Sequence, residues 1–457
     1  MSRRLLLGIA LLAAACQGAP PTIVPSADIP ASSPATGGSP AASLETSRAS
    51  WPTSDDLILV GRIVTMADPA EVEALLIVEG RVAAMGSRAE IEPLAGPDTK
   101  VVELGSNVAY PGFIDAHAHW IGDREHYGGG SAQDVIGEVV RRGWTSIGEL
   151  WVDEERLAEL EGLDAAGELT TRVDAYLALS DPEGRKLGDW YSARTPGRVS
   201  EHLRVQGLKI HFDNGWGTRV FWEPDEIAAT VDRAHRAGWQ IAIHTYGTRS
   251  LDMVLDAIDG ALEGGPNTLH HRIEHALQVT DEQLARMVDL GVVVVIHPDA
   301  AASDWALYDD FVGRLGDQPA LIMRWRDFFD AGLHVASADD APWVFPDLKL
   351  TDDVGRPYDQ IAGGMDGRGR VNPETPPWAL DQLVTPDQVL ASLTTDAAYA
   401  LNDEANRGHL APGTYADITI LSRDVTLGKP DEIRATQVIA TIVAGQASFC
   451  ADPGFCP

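Results

Sequence analysis

Short apolar segments alternate with amphipathic segments along most of this chain, and this alternation limits the possible folds more than any other feature. After residue 110, apolar runs are separated by stretches with helical periodicity. A repeated strand–helix pattern favours a parallel sheet covered by helices, so we predict an α/β fold, and eight strands indicate a (β/α)8 TIM-type barrel. The predicted strands are 111–116, 145–150, 172–178, 206–212, 239–244, 271–275, 291–296 and 333–338. The predicted helices include 132–142, 224–237, 249–262, 281–289 and 319–331.

Further β-like runs flank the barrel at both ends of the chain. Runs at 57–64, 75–86 and 99–104 precede it, and runs at 416–421 and 437–447 follow it. Helical segments are predicted at 386–401 and 430–436. We expect the two ends to form one small β-sandwich domain. The predicted division is a signal at 1–16, a tether at 17–50, the β domain at 51–110 and 406–447, the barrel at 111–405, and a tail at 448–457.

The first sixteen residues, MSRRLLLGIALLAAAC, have the pattern of an export signal. Two arginines precede an apolar run that is too short to span a bilayer as a mature helix, and small residues precede Cys16. This pattern resembles a lipoprotein signal, and an ordinary secretory signal is the alternative. Residues 17–50 are rich in Pro, Ser and Ala, which predicts a disordered tether. We therefore expect export to the cell envelope and a membrane anchor through Cys16, on the periplasmic or the outer surface.

Charge and cysteine content exclude several classes of protein. The formal net charge is −33, which argues against nucleic acid as a partner. With only three cysteines, the chain cannot form a disulfide scaffold or a zinc site of four cysteines. Cys450 and Cys456 can form a disulfide in an oxidising compartment or remain free thiols, and the sequence leaves both open.

The segment PGFIDAHAHW, at 111–120, carries the strongest chemical signal. His117 and His119 are two residues apart at the end of a predicted strand, so both imidazoles face the same side and can chelate one metal ion. Later strand ends supply further donors, namely His244, His275 and the pair Asp339 and Asp340. The carboxyl ends of barrel strands meet at one face, so we predict a metal centre there.

Lys209 lies inside the apolar strand VQGLKIH. A buried lysine must lose its charge or have it compensated. Reaction of the amine with CO2 gives a carbamate that can bridge two metal ions, and this is the interpretation that we favour. The alternative is a buried ion pair, for which Asp213 is the candidate partner.

These motifs resemble the amidohydrolase superfamily and, within it, amidohydrolase family 3, the YtcJ-like metal-dependent hydrolases. The resemblance covers about residues 55–447. It rests on LILVGRIVTM, PGFIDAHAHW, LKIHFDNG, IAIHTYGTRSLDMVLDAI, RIEHALQV, DDAP, TPDQVLASLTTDAAYAL and GHLAPGTYADITIL.

The resemblance implies a role for each candidate ligand. His117 and His119 would bind the more buried ion, carboxylated Lys209 would bridge to a second ion, and His244 and His275 would bind that second ion. Asp340 would complete the first site and act as the general base, because the family's aspartate stands two residues before a proline, here Pro342. The expected cofactor is two Zn²⁺ per chain.

Three features depart from the family pattern. Only about 25 residues separate His119 from the next strand, where the family has a long insertion. Gly247-Thr248 replaces a usual Gly-Asp pair, and His297-Pro298 replaces a usual Gln-Pro pair. His297 ends a strand, and whether it contacts substrate is left open. His211 is interpreted as a core or pocket histidine.

Aromatic residues that follow strand ends suit either a substrate wall or the packing of a lid; they are Trp120, Trp151, Trp216, Tyr246 and Trp343.

The predicted activity is metal-dependent hydrolysis of a C–N bond outside peptide chains, most of all an amide, in a small molecule. In this hypothesis a hydroxide that bridges two ions attacks the carbonyl carbon, and Asp340 transfers a proton to the leaving nitrogen. The enzyme alternatives are hydrolytic deamination and hydrolysis of a lactone or ester. The non-enzyme alternative is a lipoprotein that binds ligand without turnover.

Overall fold

The computed structural model describes residues 56–457 except 128–129, 216, 300–320, 344–348, 351, 353–354, 369–373, 376, 454 and 457. The predicted signal, the tether with Cys16, and Trp216 therefore lie outside the described residues. Within the described part, the strands are β1 Leu57–Val64, β2 Glu71–Val78, β3 Arg81–Gly86, β4 Lys100–Pro111, β5 Phe113–Ala118, β6 Trp144–Val152, β7 Arg172–Ala178, β8 Gly197–Arg198, β9 Leu203–His211, β10 Gln240–Thr245, β11 Arg272–His275, β12 Val293–Ile296, β13 Val335–Ser337, β14 Ile418–Leu421, β15 Val438–Val443 and β16 Gln446–Cys450.

Helices connect the strands, and many begin at a polar residue that caps the first turn. The Thr280 hydroxyl, for example, accepts a hydrogen bond from the backbone N–H of Gln283 at 3.2 Å, and the side-chain oxygen of Gln283 accepts one from the backbone N–H of Thr280 at 3.0 Å. The described helices are α1 Arg88–Ile91, α2 Ala132–Arg141, α3 Glu154–Ala166, α4 Pro224–Arg236, α5 Thr248–Leu262, α6 Asp281–Leu290, α7 Trp325–Asp330, α8 Pro357–Asp366, α9 Pro386–Ser392, α10 Thr395–Ala400 and α11 Pro430–Arg434. No helix among the described residues is both long enough and apolar enough to cross a membrane.

The central sheet is the predicted (β/α)8 barrel. Across the described ranges, eight parallel strands follow one another in the order β5, β6, β7, β9, β10, β11, β12, β13. Two backbone hydrogen bonds join the segment that follows the last strand to the end of the first: Asp340 N donates to His117 O at 2.9 Å, and His119 N donates to Ala341 O at 2.9 Å. The seam of the barrel thus runs through the predicted metal ligands, and it fixes His117, His119 and Asp340 relative to one another.

A second sheet is built from both ends of the chain, as the sequence predicts. Its order, in the part of the chain that is described, is β16-β15-β14-β4-β1-β2-β3. The antiparallel pair β4–β14, with Tyr110 opposite Thr419, joins the early strands to the late ones. Cys450 and Cys456 form a disulfide beside this sheet, so they are not the free thiols that the sequence left as one alternative.

Buried ion pairs tie the second sheet to the barrel. Arg172, the first residue of β7, donates from Nε to Asp417 at 2.6 Å and from Nη2 to the same carboxylate at 3.0 Å. Arg407 binds Asp174 of the same strand at 2.6 Å. Burial of such charges is costly unless they are paired in this way, so removal of one partner would leave a buried, uncompensated charge.

The structure corrects several predicted element boundaries. The run 75–86 belongs to two strands, because Glu79 and Gly80 turn the chain with φ of +49° and +73°. The run 437–447 is likewise split between β15 and β16 by a turn at Ala444 and Gly445. The helix predicted at 386–401 is two helices, and that predicted at 319–331 begins only at Trp325 in the described residues. Helices α3 and α8 were not among the predicted ones.

Candidate active site

Three predicted metal ligands meet at the carboxyl ends of the barrel strands. His117 Nε2 lies 3.3 Å from Asp340 Oδ1, and His119 Nε2 lies 3.4 Å from the same oxygen. One donor atom from each of the three residues falls within 4.8 Å of the others, and all three side chains are buried. Two imidazoles and a carboxylate at this spacing form a suitable donor set for a divalent ion such as Zn²⁺.

Local backbone geometry brings two of the site residues into position. His275 and Asp340 have φ of +71° and +49°, in the left-handed region that residues with a side chain seldom adopt. Such a conformation costs on the order of 1–3 kcal/mol and persists only where the surroundings enforce it. Its occurrence at two residues of one cluster is typical of a functional site.

His244 and His275 lie beside the first group. His275 Nδ1 is 3.9 Å from Asp340 Oδ2, and the rings of His244 and His275 have centroids 4.6 Å apart. His244 Nε2 lies 3.4 Å from Asp213 Oδ1. The structure therefore brings both histidines into the cluster, although His244 belongs to neither of the three-donor groups found among the described residues.

Lys209 is fully buried in β9, and its Nζ atom lies 3.3 Å from His117 Nε2. Burial lowers the pKa of Lys209 to about 8. Asp213, the candidate ion-pair partner, instead accepts hydrogen bonds from the backbone of Tyr246 and Gly247 and from the Ser250 hydroxyl. The buried ion pair with Asp213 is therefore not formed, and the amine faces the predicted metal ligands.

Glu274 and Arg272 support His117 and were not identified from the sequence. Glu274 Oε2 accepts a hydrogen bond from His117 Nδ1 at 2.5 Å, which leaves Nε2 of His117 available as a donor to metal. Burial alone would raise the pKa of Glu274, but the charge of Arg272, bonded to it at 2.6 and 2.7 Å, lowers that pKa. An acid directly before a predicted ligand was the one available signal for this role.

The adjacent aspartates have different environments. Burial would raise the pKa of Asp340, but His117 and His119 hold it well below its usual range, so this carboxylate is ionised. Asp339 instead accepts a hydrogen bond from the side-chain amide of Gln360 at 2.5 Å. Burial and the neighbouring Asp115 raise the pKa of Asp339 well above its usual range. Asp340 is thus the ionised member of the pair that lines the cavity.

The cluster forms the floor of a cavity of about 450 Å³. Trp151, Tyr246 and Trp343 line it, as the substrate-wall interpretation requires. Trp120 is fully buried and donates to Asp115 at 2.9 Å, so its role is packing. Arg156 also lines the cavity, but it binds Asp123 at 2.8 Å and stacks on Trp151 at 4.5 Å.

Several buried nitrogens at the site fit a bound metal ion. His244 Nε2 is buried and has no hydrogen-bond partner among the described residues, and Nε2 of both His117 and His119 lies within 3.4 Å of Asp340 Oδ1. Leaving a buried polar atom unpaired costs free energy, so such atoms at a functional site call for a ligand. The donor set of His, Asp and Lys is one that divalent ions accept, and the residues present therefore fit a metal centre.

Glu149 binds the backbone of the loop that follows β5. Its buried carboxyl group predicts how the stability of the protein depends on pH. Its carboxylate accepts hydrogen bonds from Gly122 N at 2.7 Å and Ile121 N at 3.3 Å. Burial raises the pKa of Glu149 from 4.5 to about 8. Between these values the folded protein holds a proton that the unfolded chain has released, so the free energy of unfolding falls as pH rises.

We expect Glu149→Gln to remove this pH dependence. In urea unfolding at pH 5, 6.5 and 8, the variant should gain stability relative to the wild type as the pH rises. Wild-type protein serves as the reference at each pH, since other groups titrate equally in both proteins. A stability difference that is the same at all three pH values would contradict the assignment.

Most of the chain matches a known protein family. A model described as the amidohydrolase family matches residues 123–449. The chain belongs to the amidohydrolase family. The matched range begins after His117 and His119, so these two residues are assigned from the motif and the geometry alone.

Individual amidohydrolases show how far the similarity extends. The chain is 28% identical over 330 residues to the N-substituted formamide deformylase of Arthrobacter pascens, covering 66% of this chain and 57% of the relative. It is 24% identical over 247 residues to the YtcJ protein of Bacillus subtilis, named as an amidohydrolase, covering 54% of this chain and 42% of the relative. The chain thus spans about half the length of these curated relatives.

The fold is shared with a solved structure. An uncharacterized metal-dependent hydrolase from Pyrococcus horikoshii OT3 superimposes with a TM-score of 0.66 at 20% identity. The match covers 82% of this chain and 99% of that one. At this identity the similarity establishes the barrel with its second sheet.

Proposed function

We propose that this amidohydrolase is a metal-dependent enzyme that hydrolyses a C–N bond, an amide in the first place, in a small molecule. The observation that carries the proposal is the buried group of His117, His119 and Asp340 at the floor of the cavity, with donor atoms within 4.8 Å of one another. Membership of the family supports the reaction class, since the relative from Arthrobacter pascens is named for removing the formyl group from N-substituted formamides.

The proposed ligands divide between two ions. His117, His119 and Asp340 would hold one ion, and His244 and His275 a second, with carboxylated Lys209 between them. When bound, the ions supply a lowered pKa for water and a Lewis acid for the substrate oxygen. Zn²⁺ is the proposed metal, because histidine nitrogen and carboxylate oxygen are its preferred ligands in such sites.

Lys209 can acquire its carboxyl group from dissolved CO2. The lone pair of the neutral amine attacks the carbon of CO2, a new N–C bond forms, and the nitrogen releases one proton to give a carbamate. The pKa of about 8 leaves part of the amine neutral at neutral pH, as this reaction requires. The carbamate carries one negative charge where the ammonium would carry one positive charge, so it favours nearby cations.

Asp340 is proposed to transfer the proton. Its carboxylate is ionised and lines the cavity, so it can accept a proton from the attacking water. It then passes that proton to the leaving nitrogen, because an amide anion is too basic to be expelled unprotonated. Glu274 keeps the His117 ring oriented by its hydrogen bond to Nδ1.

The walls of the cavity favour an uncharged substrate with an apolar or planar group. Trp151, Tyr246 and Trp343 offer aromatic surface. Arg156 is already bound to Asp123 and stacked on Trp151, which makes it a poor partner for a substrate carboxylate. Neutral N-substituted amides should therefore be better substrates than N-acyl amino acids.

The experiment is a screen for amine or ammonia release with added Zn²⁺ and bicarbonate. The panel contains N-alkyl and N-aryl formamides and acetamides, N-acyl amino acids, cyclic amides, dipeptides, nucleobases and lactones. We expect amine release from the neutral amides, abolished by a chelator. Release of ammonia from nucleobases would favour the deaminase alternative, and binding without turnover of any compound would favour the ligand-binding one.

We also propose that the protein is exported and anchored to a membrane through a lipidated Cys16. The proposal is supported by the sequence of residues 1–16 and by the Cys450–Cys456 disulfide, which is typical of an oxidising compartment. Cys16→Ser should move the protein from the membrane to the soluble fraction of the cell envelope. Equal distribution of wild type and variant in cell fractionation would contradict the anchor.

A further inference from the structure

His297 is a buried histidine that lies beside His117 and His275, beneath the cavity lining, and the predicted ligand set gives it no role. It follows β12 directly and is 7% exposed. The centroid of its ring lies 4.8 Å from that of His275 and 5.5 Å from that of His117. The sequence left open only whether His297 contacts substrate, so its position among the predicted ligands is a finding of the structure.

The hydrogen bond of His297 determines which nitrogen is available. Its Nδ1 atom lies 3.0 Å from the carbonyl oxygen of Ala338. A carbonyl only accepts, so Nδ1 carries the proton and donates it, which leaves a lone pair on Nε2. That Nε2 atom is buried and has no hydrogen-bond partner among the described residues. An orienting hydrogen bond from one nitrogen to a backbone carbonyl is the usual arrangement of a histidine that binds metal through the other.

His297 also belongs to a compact group of three histidines. One ring nitrogen each from His117, His275 and His297 falls within 4.8 Å of the others, and all three side chains are buried. Three imidazoles form a known ligand set for zinc. This group is distinct from that of His117, His119 and Asp340, although the two share His117.

The shared residue can serve only one ion. Because Nδ1 of His117 is bonded to Glu274, only its Nε2 lone pair is available, and one lone pair binds one ion. His117 Nε2 lies 3.3 Å from Asp340 Oδ1, next to His119, which assigns it to the ion held by that group. His275 and His297 then remain together for another ion.

We propose that Nε2 of His297 is a metal ligand and binds the ion that His275 holds. This inference rests on the proposed function, because it assumes that the cluster binds metal. The proposal adds His297, which directly follows β12, to the ligands predicted at the ends of the other strands.

The test is metal affinity measured with Co²⁺ alone. Metal-free wild type, His297→Gln and His297→Ala are titrated with Co²⁺ in the presence of a competing chelator, and the visible absorption of the bound ion is recorded. His211→Gln is the matched control. His211 lines the cavity next to the cluster and also has a buried nitrogen without a hydrogen-bond partner in the described residues, but it is in neither three-donor group.

We expect His297→Gln to lower the affinity for one Co²⁺ about 100-fold or more, since loss of even a residue that only orients a ligand lowers metal affinity 10–100-fold. The absorption of that ion should change in shape. His297→Ala should behave in the same way, and added imidazole should restore the wild-type spectrum by filling the gap. His211→Gln should keep the wild-type affinity within about threefold. Circular dichroism of the metal-free proteins establishes that each variant is folded.

Three results would overturn the inference, and they can be distinguished from one another. If wild type binds Co²⁺ and both His297 variants retain its affinity and spectrum, His297 is not a ligand and the proposed function stands. If wild type itself does not bind Co²⁺, the metal centre and the inference both fail. Weakening of equal size in His211→Gln would also overturn it, because the effect would then be a general disturbance of the cavity.

Discussion

Asp340→Asn is expected to lower kcat by about 10³-fold, within the range that positioned proton transfer contributes. The amide nitrogen and oxygen occupy the space of the carboxylate but cannot accept the proton from water at neutral pH. Because proton transfer belongs to the transition state, the loss should fall on kcat and much less on KM. Steady-state kinetics on the best amide of the screen, with metal content measured on the same samples, provide the test.

Asp339→Asn is the matched control, since it makes the same chemical change one residue earlier. Asp339 is buried behind the cavity floor, is bonded to Gln360, and has its pKa raised well above its usual range by burial and by Asp115, so its ionised form is disfavoured. A neutral amide should therefore replace it at a cost of less than about tenfold in kcat, a minor loss beside that of the residue that transfers the proton. An inactive Asp339→Asn together with an active Asp340→Asn would move the role of base to Asp339.

Lys209→Ala is expected to lower kcat/KM by at least about 100-fold, because it removes the proposed carbamate that lies between the two ions. Small carboxylic acids such as acetate should restore part of the activity, since they supply a carboxylate to the space that the side chain vacates. Exposed Lys349→Ala is the control and should have wild-type kinetics. Wild-type kinetics for Lys209→Ala would exclude a carbamate ligand.

The carbamate also predicts a dependence on CO2 and pH. Protein freed of metal and CO2 should regain activity on addition of both. Because the pKa of Lys209 is lowered to about 8, the neutral amine becomes scarcer below this pH, so reactivation at constant dissolved CO2 should be slower at pH 6 than at pH 8. Labelling with ¹³C-bicarbonate should give a carbamate signal in wild type that Lys209→Ala lacks. Reactivation that needs no CO2 would contradict the prediction.

The sequence predicts the barrel well because its strands are apolar runs bounded by clear breaks. The predicted strand at 172–178 coincides with β7, Arg172–Ala178. Helix α3 was missed because its buried residues, Leu157, Leu160 and Leu163, form only a narrow stripe among acidic residues. Its ends carry signals that identify it in retrospect, namely the capping bond from Arg156 N to Asp153 at 2.9 Å and Gly167 at φ +71°.

The predicted ligands could be located because they follow strands of one barrel, and the carboxyl ends of those strands converge. The positions of Glu274 and His297 relative to those ligands could not be predicted in this way. Strict alternation along a strand predicts that only one of Glu274 and His275 faces the site. The left-handed conformation of His275 breaks this alternation, so His275 lies at the cavity while Glu274 bonds to His117. His297 was visible as a residue type, but its hydrogen bond to Ala338 depends on the pairing of β12 with β13.

The most direct test of the account is a titration of metal-free protein with Zn²⁺ in the presence of bicarbonate, with amine release from the best neutral amide measured at each step. The account predicts no turnover without metal, a rise in turnover with added Zn²⁺ that levels off near two equivalents, and loss of turnover on addition of a chelator. Turnover of the same amide by protein that contains no metal would contradict it.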